Sequence, residues 1–92
     1  MILIALNDGN VSSTGTVTCN SGIVGGVLIS VDGTNAAVVT MQKDTSGGKT
    51  VFDISTKQPL FITGPISLEG TTALYYSVTG TGALAQFYEW VE

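Results

Sequence analysis

An antiparallel β-sandwich or small barrel of about seven or eight short strands, hairpin-rich and oligomeric, is the fold class this 92-residue chain predicts. Three observations predict it. Short runs rich in Val, Ile, Thr and aromatic residues recur along the whole chain, separated by clusters of Gly, Asp, Asn and Ser. No stretch keeps an apolar period of 3.6 residues, so helices are not expected. The spacing is even, with no linker, so residues 1–92 form one domain.

Taken in order, strands are expected at 2–6, 15–20, 23–31, 35–43, 49–55, 60–63, 71–79 and 83–91. The first, in "MILIALNDGN", is a five-residue apolar run (Ile2–Leu6), too short for a membrane span and without the basic region of a signal peptide. Residues 1–21 read as an arm or edge strand that packs on a neighbouring subunit, because edge pairing needs only backbone groups. Cys19 stands alone in "GTVTCNSG", so no internal disulfide forms, and its alternating position suits a small buried hydrophobe. Pro59 and Pro65 bracket Leu60–Gly64, which suits an edge strand or an ordered loop, since proline gives no ladder donor.

Two turns are read as hairpins. Asp32-Gly33 in "VDGTN" suits a type I′ turn, and Gly80-Thr81 in "VTGTG" suits a type II′ turn. The second hairpin would set Leu74, Tyr76, Val78, Ala83, Ala85 and Phe87 on one face. Tyr75, Leu84, Tyr88 and Trp90 would share the other with Ser77 and Gln86. A mixed face bearing tyrosines and a tryptophan has the composition of a protein–protein contact. The first hairpin has no clearly polar side either: Ile23, Val27, Ile29 and Val31 oppose Val24, Leu28, Val39 and Met41. One small core cannot hide both faces, so another chain covers the surplus. In the alternative, residues 55–70 and the N-terminal segment fold over the outer faces.

Composition narrows the function. Charged residues make up 11% of the chain, against about 25% in ordinary domains. Thirteen Thr, 8 Ser and 12 Gly take their place, and low charge protects poorly against association. The net charge is −4, with no His and only Lys43, Lys49 and Lys57 as cations, so phosphate neutralisation and nucleic-acid binding are not expected. Asp8, Asp32 and Asp44 stand at turns, where the carboxylate bonds backbone amides. Asp53 is expected to face solvent, and Glu89 to lie near a sheet edge or pair with a lysine. Serines abound, but no histidine is present to act as their base, and the Asp-Gly turns lack the spacing of a calcium loop. The chain reads as a non-enzyme with no cofactor, no metal and no small-molecule substrate.

The stretch "GVLISVDGTNAAVVTMQKD", followed by "FDISTKQPLFITGPISLEGTTALYYSVTGTGALAQFYEW", resembles a group of small all-β virion proteins of tailed bacteriophages. The likeness runs from about residue 22 to residue 92, through the "DGTN" turn, the "DISTK" segment, the glycine–proline step and the closing "YYSVTGTGA". It implies a decoration or cement protein, assembled in the host cytoplasm as a homotrimer and seated on the capsid exterior where major capsid subunits meet. Tyr75, Leu84, Tyr88 and Trp90 are the interface candidates. Two rival readings are a receptor- or glycan-binding fibre module and a ring subunit of a tail or connector.

Overall fold

The computed structural model describes residues 2–7, 10–45 and 47–92; Asp8, expected at a turn, lies outside them. Eight strands form, and no helix: β1 (Ile2–Ala5), β2 (Thr14–Thr18), β3 (Ile23–Ser30), β4 (Ala37–Lys43), β5 (Thr50–Thr56), β6 (Leu60–Ser67), β7 (Ala73–Thr79) and β8 (Leu84–Val91). They make two four-stranded antiparallel sheets, ordered β1-β8-β3-β6 and β2-β7-β4-β5. This order, in which the chain alternates between two facing sheets, is that of an eight-stranded jelly roll.

The alternation overturns both expected hairpins. β3 and β4 lie in different sheets, and so do β7 and β8; β4–β5 is the hairpin formed by consecutive strands. β3 already has β8 on one side and β6 on the other, so β4 finds no free edge there. The turn types differ too: Asp32 is not at positive φ, as a type I′ turn requires, and the bond from Ala83 N–H to Gly80 O puts Thr81-Gly82, not Gly80-Thr81, at the centre of the second turn. Asp32 Oδ1 accepts the N–H groups of Thr34 and Asn35, each at 2.8 Å, and organises the loop that carries the chain across. Gly80 opens the return loop at φ +111°, with the Ala36 carbonyl where a Cβ would stand, so the two crossing loops pack together.

Because Asp32 is bonded by Asn35 and Thr34 as a carboxylate, its pKa is lowered. Its contribution to stability is therefore complete above about pH 4 and lost as pH falls through the lowered folded-state value. The acid limb of a thermal-stability profile is expected to be shallower in Asp32→Ala than in the parent chain. Parallel limbs would remove Asp32 from the acid response. Glu69 is lowered as well, chiefly by its bond from Lys49 Nζ at 2.8 Å, and adds to that limb.

The core lies between the sheets. Val24, Val27, Ile29, Ala85 and Phe87 from one sheet meet Val39, Met41, Leu74, Tyr76 and Val78 from the other. The Tyr76 and Phe87 rings, read from sequence as one face of a hairpin, instead touch across the core with centroids 5.1 Å apart. Cys19 is buried as expected, its thiol pushed upward mainly by burial. A bulge between Val24 and Gly26 changes the alternation of β3, so Val24, Val27 and Ile29 all point inward. Val39 and Met41 are core residues too and Val31 packs against the core, which leaves Leu28, exposed, and Ile23, half-buried, as the outward large apolar residues of the eight named for the first hairpin. β1 and β6 extend one sheet at its two edges, as Pro59 and Pro65 suggested for β6, and neither folds over an outer face.

Candidate interaction surface

Cross-strand partners point to the same side of a sheet, so the registers define the two outer faces. On the β1-β8-β3-β6 sheet the outward rows are Leu84–Ser30, Gln86–Leu28–Phe61, Tyr88–Gly26–Thr63 and Trp90–Leu3. Phe61 is 48% exposed, Leu28 37% and Leu84 36%, and Tyr88, Trp90 and Leu3 are half-buried. Glu89 is the sole charged residue on these four strands, and it points inward. The four strands thus bring mainly apolar and aromatic side chains to this face, and no charge.

Gly25 and Gly26 leave room on it for neighbouring side chains. A Cβ on Gly25 would run into the Leu3 side chain and the Trp90 backbone, and one on Gly26 would stand 3.0 Å from the Phe61 ring. The missing side chains let Phe61 lean across β3 and meet Tyr88 edge-on, with ring centroids 6.0 Å apart. Trp90 Nε1 donates to Glu92 Oε1 at 3.2 Å, which fixes the indole edge. Gln86 is buried and donates to Asn7 O at 2.9 Å and Asn7 Oδ1 at 3.0 Å. Asn7 Oδ1 also accepts Phe87 N–H at 3.0 Å, standing in for a ladder carbonyl where β1 ends.

The outer face of the β2-β7-β4-β5 sheet is the opposite in chemistry. One row reads Thr14–Ser77–Thr40–Asp53 and the next Thr16–Tyr75–Gln42–Thr50. Thr14 Oγ1 donates to Ser77 Oγ and Thr40 Oγ1 to Asp53 Oδ1, each at 3.3 Å. Hydroxyls bonded to one another and to a carboxylate dominate this side, with Val38, 37% exposed between Ser55 and Thr79, its exposed aliphatic residue.

The structure therefore gathers Leu84, Tyr88 and Trp90 on one face and places Tyr75 on the other sheet. The split follows from β7 and β8 separating. Phe61, Leu28 and Leu3 complete the apolar face. The alternation of "LFIT", inward at Leu60 and Ile62 and outward at Phe61, is the signal that marks Phe61. Asp53 is exposed as expected. Glu89 is not at a sheet edge and pairs with no lysine: it is buried, and its Oε2 accepts Ser21 N–H at 2.6 Å. That bond satisfies a buried carboxylate and ties the 19–22 turn to β8.

Among the described residues no cavity opens, and no cluster of three or more acidic or cysteine side chains is placed to hold a metal ion. Comparison with protein-family models, curated proteins and solved structures finds no match to this chain.

Proposed function

We propose that this chain is a non-enzymatic structural protein of a phage particle, a decoration or cement protein that seats an apolar sheet face on the outer capsid surface. The observation that carries the contact is the asymmetry of the two outer faces. One is hydroxyl-rich; the other holds Phe61, Tyr88, Trp90, Leu28 and Leu84, with the Glu92 carboxylate at its Trp90 end. The resemblance of residues 22–92 supplies the particle. Jelly rolls serve viral capsid domains, lectins and cupins alike, so the fold agrees with this reading without selecting it.

Magnitudes favour a bridging role. A four-stranded face with strands about 4.8 Å apart and about 25 Å long projects roughly 500 Å². A standard interface buries about 800 Å² per partner. One face alone gives a modest contact, and a copy that straddles two capsid subunits gains from both. A subunit that binds only the assembled shell stabilises it by mass action, by about 2.7 kcal/mol at a hundred times Kd. The shell then resists separation of its subunits under internal pressure.

The rival fibre or glycan-binding reading would draw on Tyr75, the one aromatic among the hydroxyls of the opposite face. It leaves the apolar face unexplained. The test is to mix the protein with heads assembled without it. Saturable co-sedimentation and a raised rupture temperature are expected; heads that neither bind it nor gain heat resistance would refute the proposal.

A further inference from the structure

The molecule has four sheet edges, and two carry features that discourage pairing with another chain. β6 contains Pro65, which offers no N–H. β5 carries exposed Asp53, is flanked by Lys49 and Lys57, and meets β4 through a bulge at Met41/Gln42. β2, "TGTVT", is weakened by Gly15 and carries three exposed threonines, so a seam there would be polar. β1, "ILIA", has no proline, glycine, charge or hydroxyl. Among the described residues no strand pairs with its outer edge.

Two side chains sharpen the contrast. Ile4 lies in one row with Glu89 and Val24, on the core side of the sheet, and Ile2 shares that side. Both ought to be covered, yet Ile2 is 58% and Ile4 47% exposed. The sandwich stays open along this edge, and an added strand with apolar inward residues would close it.

The backbone phase is fixed as well. Leu6 N–H bonds Phe87 O at 2.8 Å, so by alternation the groups of Ile2, Ile4 and Leu6 turn toward β8. Those of Leu3 and Ala5 turn outward to the open edge. The geometry points to a second copy of this chain as the occupant, its β1 antiparallel to the first about a two-fold axis at Ile4. Leu3 then stands opposite Ala5 of the second copy, and the two pairs exchange N–H···O bonds. Ile4 meets Ile4, and Ile2 meets Leu6, all on the core side. Because 2 + 6, 3 + 5 and 4 + 4 share one sum, inward residues meet inward ones and no polar side chain enters the seam. The strand carries no charge, so two chains of net charge −4 meet where neither presents an acid.

The product is an isologous dimer with one continuous eight-stranded sheet. It is a two-fold pair in place of the trimer that the phage resemblance implies, and it stands whether or not the capsid reading holds. Sedimentation of the full chain over a range of concentrations tests it, with Ala5→Pro as the variant. Proline at 5 removes an outward N–H and leaves the β8 ladder intact. A monomer–dimer equilibrium is expected, weakened at least about tenfold in Ala5→Pro, since symmetry removes two bonds. A monomer at every concentration, a trimer, or a dimer indifferent to Ala5→Pro would overturn the inference. If the variant does not fold, amide exchange in the unmodified chain decides. Leu3 and Ala5 amides are expected to be protected in concentrated samples and released on dilution; unprotected amides in both would overturn it.

Discussion

Phe87→Ala is expected to lower stability by about 3–5 kcal/mol, most of what so small a domain possesses. Phe87 is fully buried at the centre of β8, with Val27 beside it in the sheet and the Tyr76 ring across the core. Its removal strips contacts from both sheets, and β8 is held between β1 and β3, so the neighbours cannot collapse far into the space. For a domain of this length the melting temperature should fall by about 15–35 °C in a circular-dichroism melt. Phe61→Ala is the control: the same side chain lost from the exposed outer face should cost under about 1 kcal/mol. Equal losses would mean that the two faces of the β1-β8-β3-β6 sheet have been assigned wrongly.

Trp90→Ala should show the reverse pattern, with a small stability change and a large loss of binding to the capsid surface. The indole is a wide, rigid apolar plate, held by Glu92 and lying beside Tyr88 on a largely apolar face. Such residues dominate interfaces because they bury area at little conformational cost. Truncating a central one costs about 2–4 kcal/mol, a roughly 30- to 1,000-fold rise in Kd. Titration of capsids with labelled protein measures it, and an unchanged Kd would remove Trp90 from the contact.

Much of the fold was legible in the sequence. The eight runs of Val, Ile, Thr and aromatics became eight strands, most ends within two residues of expectation, because β-rich runs between turn residues reflect local sterics. β6 was the exception. It continues through Pro65 to Ser67, since at an edge the missing N–H faces away from the ladder. Partnership was not legible. Asp32-Gly33 and Gly80-Thr81 mark reversals, but a reversal does not state whether the chain rejoins its own sheet or crosses to the facing one. That choice is set by which edges are free once distant strands have paired, such as β1 with β8.

The candidate surface shared this fate. Leu84, Tyr88 and Trp90 keep one face because a single strand fixes their alternation. Tyr75 left it because its strand belongs to the other sheet. The bulge at Val24/Gly26 drew Val24 and Val27 inward together, so β3 exposes less apolar surface than strict alternation implies. Glu89 found a backbone amide that only the folded 19–22 turn presents.

The central claim is that another protein covers the outer face of the β1-β8-β3-β6 sheet. Trp90 is the only tryptophan in the chain and lies on that face, so quenching of its fluorescence by acrylamide reads the claim directly. The account predicts quenching in dilute solution that falls several-fold when the protein is bound to heads. Equal quenching in the two states would contradict it.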